Sequence, residues 1–250
     1  MRPLIPFLWG CLIIVAEQGF VDRWAIIGSI AYFLLLVGIL YSAASSSQRD
    51  LTKFALAVSL FPISRLISTG LGLERSGPSI EEAVIDAALF IAAIQVIRLQ
   101  GLTRDDVLIR AGGRMRVDGP VIAIVAVVLG VVGAWLSGAR LTFDVLGVPP
   151  ALIAGGVVLA WAGAFIECLV FMGLLLPATQ RLLGPWLGAG YVAAIWAIRF
   201  GFMPWTYMGA MLVEGLILAV VTTRTRSMLY AVLAHWLIIV AFFATAGVLG

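Results

Sequence analysis

Charge is scarce in this sequence. Asp, Glu, Lys and Arg together make up 12% of its 250 residues, whereas 62% are hydrophobic. Soluble domains usually carry about a quarter charged residues. A chain of this composition lacks the polar groups needed to cover its surface in water, which excludes an ordinary soluble protein.

Cysteine is also rare, and other familiar patterns are missing. The two cysteines, Cys11 and Cys168, both lie in apolar runs, which excludes a disulfide framework and a zinc-binding spacing. No glycine pattern of a nucleotide-binding loop is present, which disfavours an ATP-driven transporter. The net charge of +3 comes from arginines in loops and does not indicate nucleic acid as a partner. We expect no cofactor and no metal ion.

Long uncharged runs are what the sequence has instead. Residues 121–136, 149–166 and 236–250 contain no ionisable acidic or basic side chain. A helix needs roughly 20 apolar residues to cross a hydrocarbon core about 30 Å thick. In lipid, only helices and closed barrels satisfy their own backbone hydrogen bonds, and these runs do not alternate as barrel strands do. The sequence therefore predicts an all-α, polytopic transmembrane helix bundle.

Nine apolar segments are predicted to be these helices. The first segment would leave eight if it were a signal peptide, but no small-x-small cleavage pattern follows it, so we expect it to be retained. The segments are residues 3–16, 24–43, 52–71, 82–97, 119–138, 150–175, 187–203, 207–222 and 228–248.

The loops between these segments predict orientation and organisation. With the N-terminus in the cytoplasm, one side receives eleven basic residues and the other side four. This bias follows the positive-inside rule and predicts a cytoplasmic N-terminus in a prokaryotic cytoplasmic membrane. The polar connection at residues 99–118 is expected to be a cytoplasmic loop with a short surface helix and a turn. It divides the chain into an N-terminal membrane half, 1–118, and a C-terminal membrane core, 119–250.

Four ionisable residues lie within or near the apolar segments of the C-terminal core: Glu167, Arg199, Glu214 and the single histidine, His235. A charge at the bilayer centre costs about 2.5–3.5 kcal/mol on insertion scales, so such residues usually face a protein interior. A buried carboxylate either stays protonated or finds a cationic partner. A lone histidine on an apolar helix is more often a packing residue than a catalyst, and both interpretations stay open at this point.

Three stretches of the C-terminal core carry the pattern of a known family. Residues 166–177 read IECLVFMGLLLP; LGPWL at 183–187 leads to AIWAIRF at 194–200; RTRSML at 224–229 leads to AVLAH at 231–235. In order, spacing and filler residues, the region from 155 to 247 resembles the CPBP family, named for CAAX prenyl proteases and bacteriocin processing and also called Abi. The resemblance implies an intramembrane, metal-independent endopeptidase.

The resemblance also assigns catalytic positions, and most of them are altered. Two of six polar positions are retained: Glu167, where the family has a water-activating glutamate, and His235, where it has an oxyanion-binding histidine. Water activation needs a proton acceptor, and oxyanion binding needs preorganised donors. The apolar replacements supply neither. The degenerate positions are Cys168 for a glutamate, Met172 for an arginine, Phe200 for a histidine and Ile239 for an asparagine.

Three functions follow as alternatives. The first is a proteolytically inactive structural or regulatory subunit in the lipid bilayer that binds a membrane-protein partner, with Met172, Phe200 and Ile239 drying the former cleft. The second is a CAAX prenyl protease-like endopeptidase with rearranged residues. The third is a small-solute or ion carrier whose pathway is marked by the four buried ionisable residues.

The rearranged endopeptidase would pair Cys168 with His235, supported by Glu167, Arg199 or Glu214. Against it, Glu167 and Cys168 are adjacent and point about 100° apart on one helix, so both cannot face His235 squarely. For the inactive protein, we predict that Glu167 and His235 form a hydrogen-bonded pair that ties two helices together.

Overall fold

Every predicted apolar segment forms a helix in the computed structural model, which describes residues 4–21, 25–71, 80–110, 115–136, 150–199 and 205–246. Over these ranges the protein contains no strand and nine helical segments, which confirms the predicted all-α bundle. The helices are α1 Leu4–Val21, α2 Ala25–Ser45, α3 Arg49–Gly70, α4 Ile80–Gln100, α5 Met115–Leu136, α6 Pro150–Leu183, α7 Pro185–Ala197, α8 Trp205–Thr225 and α9 Met228–Ala246.

Two of these helices are interrupted close to a proline. The first part of α3 ends at Val58, and Pro62 lacks the N–H that would bond to the Val58 carbonyl. In α6, residues Pro150–Cys168 are α-helical, Leu169–Leu175 form a π-helix, and Leu176–Leu183 return to α-helix. Pro177 likewise lacks the donor for residue 173. Because α6 ends at Leu183, its predicted end at 175 was eight residues too early.

Six of the nine helices have the length and apolar composition to cross a membrane. They are Ile26–Ser45, Arg49–Gly70, Asp118–Leu136, Pro150–Leu183, Trp205–Thr225 and Met228–Ala246. The other three are α4, which carries four charged residues, α7, which is 13 residues long, and α1, which has a shorter apolar part at Leu4–Gln18. Large apolar side chains such as Ile26, Trp135 and Leu152 face outwards. Since lipid covers such a surface and water does not, the chain is an integral membrane protein.

Packing places α9 at the centre of the C-terminal helices. It contacts α5, α6 and α8, while α7 lies against α8 and the end of α6. Helices α3 and α4 of the N-terminal half also contact α6. The helix α6, which carries Glu167, therefore lies between the two halves, and the division at residue 118 remains a prediction.

The connection between the halves differs from its prediction. Residues 101–110 form turns and no surface helix, and residues 111–114 lie outside the described ranges. The turn is made by Thr103 and Asp106, whose side chains bond to each other's backbone N–H groups. Leu108 adopts a left-handed φ of 58°, and its carbonyl accepts a hydrogen bond from the Met228 N–H at 2.9 Å. Local side-chain bonds thus outcompete a helix here.

Candidate functional site

The four buried ionisable residues of the C-terminal core come together from four places in the fold. Glu167 lies in α6, Arg199 follows α7, Glu214 lies in α8 and His235 lies in α9. Their exposed fractions are 5%, 4%, 2% and 1%. Charges this deeply buried are stable only when they are paired and hydrogen-bonded, which predicts direct contacts among them.

His235 is held between two carboxylates. Its Nε2 lies 2.7 Å from Glu167 Oε2, and its Nδ1 lies 2.7 Å from Glu214 Oε1. The predicted contact between Glu167 and His235 is therefore present, and Glu214 adds a second contact that the sequence did not predict. When both carboxylates are ionised, only the doubly protonated imidazolium donates to both, because a neutral imidazole has one N–H.

Arg199 pairs with the other oxygen of the Glu167 carboxylate. Its Nε donates to Glu167 Oε1 at 3.2 Å, and its Nη1 donates to the Trp196 carbonyl at 3.3 Å. The guanidinium lies 3.7 Å from the centre of the Trp196 ring, which in turn contacts the His235 ring edge-on at 4.8 Å. With the imidazole protonated, two carboxylates and two cations balance in one apolar cage.

A π-helix begins directly after this cluster in the chain. All seven residues of Leu169–Leu175 are buried. Gly173 lies so close to its surroundings that an added Cβ would meet the Val107 carbonyl at 3.0 Å and Met228 Sδ at 3.1 Å. Wide π turns are often found at functional sites. Here the π-helix starts two residues after Glu167, and at Gly173 it packs against Val107 of the connection between the halves.

A small cavity joins this cluster to the N-terminal half. It measures about 20 Å³, room for about one water molecule, and is bordered by Glu167 and Arg199 from one half and by Ser64 and Arg65 from the other.

Arg65 belongs to a second buried ionic cluster. Its Nε donates to Glu17 Oε2 at 3.1 Å, its Nη2 also bonds to Glu17, and the Tyr32 hydroxyl donates to the same carboxylate. This cluster joins α1, α2 and α3. Glu17 follows the first predicted apolar segment, 3–16, and its role was not predicted from the sequence. An acidic residue inside a continuous hydrophobic helix was the available signal.

Most of the C-terminal core matches a known family model. A family model described as type II CAAX prenyl endopeptidase Rce1-like matches residues 149–241. This segment is an Rce1-like domain. The match confirms the family resemblance drawn from the three motif stretches. No curated protein and no solved structure matches the chain.

The altered positions of the Rce1-like domain are occupied by apolar packing. Cys168 and Met172 are fully buried, and Ile239 is partly buried in α9. Phe200 lies outside the described residues. Both ring nitrogens of His235 are within 2.7 Å of carboxylates, so the imidazole has no nitrogen left for the Cys168 thiol. The thiol–imidazole pair of the second alternative is therefore not formed.

The ionisable side chains that come together in the Rce1-like domain are acids and bases. Within the described ranges, no three His, Cys, Asp or Glu side chains are arranged to hold a metal ion. Glu167 and Glu214 each direct one oxygen to His235 instead. Glu167 borders the water-sized cavity, where a carboxylate can take a proton from water, and it also joins α6 to α9 through His235.

Proposed function

We propose that the protein is a proteolytically inactive Rce1-like membrane protein that acts as a structural or regulatory subunit and binds another membrane protein. The observation that carries this proposal is that the ionisable groups of the site bond to one another. His235 is bonded through both nitrogens, and Glu167 is bonded through both oxygens to His235 and Arg199. General-base catalysis needs an acceptor that can reach water, and these groups are engaged with each other.

The altered positions support the same proposal. Oxyanion stabilisation depends on preorganised donors, and removing one typically costs about 2.7–4 kcal/mol of transition-state stabilisation. Ile239 has no side-chain donor, and Met172 has no charge to hold a second acid. Met172 is fully buried, so its side chain fills space where the family has a cation.

A protein with this site would act by binding. The cavity of about 20 Å³ next to Glu167 has no room for a partner's side chain. We therefore place the contact with a membrane partner on the outer faces of the helices. We further propose a prokaryotic cytoplasmic membrane with the N-terminus inside, supported by the predicted distribution of basic residues between the two sides, which is eleven against three once buried Arg199 is left out.

One observation favours a second candidate, a metal-independent endopeptidase with a rearranged site. The water-sized cavity touches both Glu167 and Arg199. In that case Glu167 would be the base that activates water, and Arg199 would be the cation near the developing oxyanion. His235 and Glu214 would orient Glu167.

Peptide cleavage distinguishes the two candidates. The purified protein is reconstituted in liposomes and incubated with a prenylated CAAX peptide and with a panel of transmembrane peptides. We expect the wild type to cleave no faster than Glu167→Gln, Cys168→Ala or His235→Ala. Cleavage by the wild type that is lost in Glu167→Gln, with that variant still folded by its melting curve, would overturn inactivity and support the endopeptidase.

The subunit role is tested separately. The native protein is purified in a gentle detergent and weighed intact by mass spectrometry, with an unrelated tagged membrane protein of similar size as the control. We expect one membrane protein to accompany it at a fixed ratio and to be absent from the control. A protein that runs alone, also after cross-linking in the membrane, contradicts the subunit role.

A further inference from the structure

A groove lies at the end of the molecule where α6, α7 and α8 meet. It has a volume of about 130 Å³, and none of its lining residues belongs to the buried ionic cluster. Its lining residues are Pro185, Trp186 and Ala189 of α7 and Val220, Thr223 and Arg224 of α8. Most of this lining is apolar, and Arg224 is its one charged residue.

A hydrogen bond joins two helices beside Arg224, the basic residue of the groove. Gln180 Nε2 donates to Thr223 Oγ1 at 2.8 Å, which joins the end of α6 to the end of α8. Arg224, the next residue after Thr223, is exposed and lines the groove, and Arg181, the next residue after Gln180, is also exposed. Arg181 is also close enough to Lys53 of α3 to repel it.

Other charges act on this end of the molecule as well. Arg49 adds to the repulsion felt by Lys53, while Asp50 and Asp106 partly offset it. These basic residues belong to the side predicted to be cytoplasmic. The groove itself is an apolar crevice with one cation, Arg224, in its lining.

We propose that this groove binds an anionic phospholipid, with part of an acyl chain against Ala189 and Val220 and the phosphate at Arg224. An apolar crevice with a cation at its mouth has the same division of polarity as an amphiphile with a negative headgroup. Basic pockets between membrane helices recognise anionic headgroups for this reason. Trp186 is 71% exposed at the rim, and tryptophan favours the headgroup level.

The dimensions of the groove argue for a lipid. A volume of about 130 Å³ accommodates a short stretch of acyl chain and is much too small for a helix of a partner protein. The inference uses residues outside the buried ionic cluster. It holds whether or not the protein is an active peptidase.

Lipid competition tests the charge at the rim. The full-length protein in detergent is titrated with dioleoyl phosphatidylglycerol or dioleoyl phosphatidylcholine, and bound lipid is counted by native mass spectrometry. We expect wild type to prefer the anionic lipid by about fivefold, the effect of about one basic residue near a membrane surface. Arg224→Gln should abolish this preference. Arg104→Gln, which removes the same charge from the exposed loop, should keep it.

A second variant tests the groove. Val220→Phe fills the crevice without changing charge, and we expect it to lower phosphatidylglycerol binding at least about fivefold. Each variant is scored as bound lipid per folded protein, so a loss of yield does not affect the result. Soluble glycerol phosphate is the third arm, and it should not compete at concentrations that saturate the lipid.

Three results would overturn the proposal. Equal binding of the two lipids by the wild type removes the role of charge. Unchanged phosphatidylglycerol binding in Val220→Phe removes the groove. Competition by glycerol phosphate as strong as that by the lipid assigns the site to a free phosphate.

Discussion

His235 is the residue on which the C-terminal helices converge. It contacts α6 through Glu167 and α8 through Glu214, each at 2.7 Å. Arg199 completes the cluster by bonding to Glu167 at 3.2 Å. Breaking a buried ionic pair by deleting one partner is strongly destabilising, because the remaining charge stays in an apolar environment.

Deleting the imidazole is therefore expected to destabilise the protein. His235→Ala leaves two buried carboxylates facing each other, and we expect a loss of up to about 3–5 kcal/mol, seen as a lower melting temperature in detergent. Glu214→Gln keeps a hydrogen-bonding oxygen and should cost less. Arg181→Gln, on the exposed surface, is the control. If His235→Ala has the same melting temperature as the wild type, His235 has no structural role.

The coupling within this cluster is measured by combining variants. Glu167→Gln and His235→Ala should be clearly non-additive, because the first substitution already weakens the contact that the second removes. Additive losses would show that the two residues stabilise the fold independently.

At the scale of helices, small residues decide which elements approach closely. Gly130 of α5 lies against α9, where an added Cβ would meet the Ile238 carbonyl at 2.5 Å and the Ala241 Cβ at 2.7 Å. In membranes, such small residues allow backbones to pack directly. Gly155 of α6 is the opposite case, with nothing within 4 Å of an added Cβ.

These two glycines give a matched pair of substitutions. Gly130→Ala forces α5 and α9 apart at a backbone contact, and we expect a loss of about 1–3 kcal/mol. Gly155→Ala should be neutral or slightly stabilising, because alanine favours helix by up to about 1 kcal/mol over glycine. Thermal unfolding in one detergent measures both. Equal melting temperatures for the two variants would contradict the close crossing.

The turn between the halves should respond to acid. The Thr103 backbone N–H and hydroxyl bond to Asp106 Oδ2 at 2.9 and 2.8 Å and hold the pKa of the Asp106 carboxyl below its usual range. Because the folded pKa is depressed, the stabilisation is present above about pH 4 and lost as the pH falls through the folded value. Solvent screens this site, so the effect stays below about 1 kcal/mol.

The measurement compares wild type with Asp106→Asn. We expect the wild type to melt higher at pH 6 and the difference to shrink by pH 3, where the wild-type carboxyl is increasingly protonated. Thr103→Val should behave like Asp106→Asn. A difference that is the same at both pH values would show that the charge of Asp106 does not matter.

In the described part of the molecule, a buried ionic cluster lies in each half. Glu17, Tyr32 and Arg65 tie α1, α2 and α3, while the His235 cluster ties the Rce1-like helices. The clusters meet at the cavity bordered by Arg65 and Glu167. The N-terminal helices therefore form part of the wall around the candidate site.

We expect removal of the Glu17 charge to change the accessibility of Cys168 in the C-terminal half. Glu17→Gln removes the negative charge to which Arg65 is bonded, and we expect a lower melting temperature together with faster labelling of buried Cys168 by a membrane-permeant maleimide. Cys11 is exposed and is replaced by alanine in all proteins of this comparison. Gln18→Ala, exposed on the same helix, is the control. Unchanged Cys168 labelling in Glu17→Gln would show that the halves are not coupled through this cavity.

Much of the fold was predictable from the sequence because the hydrophobic effect acts on continuous segments. Apolar runs of helix length can be satisfied in lipid only as helices, so the nine helices follow from composition along the chain. The interruptions within the helices and the turn between the halves were harder to predict from the sequence. Pro62 indicated the interruption of α3, whereas the π-helix at Leu169–Leu175 and the turn around Asp106 depend on local hydrogen-bond competition that no periodicity records.

The candidate site shows the same division. By itself the sequence determined that Glu167, Arg199, Glu214 and His235 needed buried partners, since a charge inside a membrane is too costly to leave unpaired. Only the tertiary structure decided which partner each residue has, and it added Glu17 and Arg65 across the cavity. Pairing depends on how helices distant in the chain are placed side by side, and one-dimensional spacing carries no information about that placement.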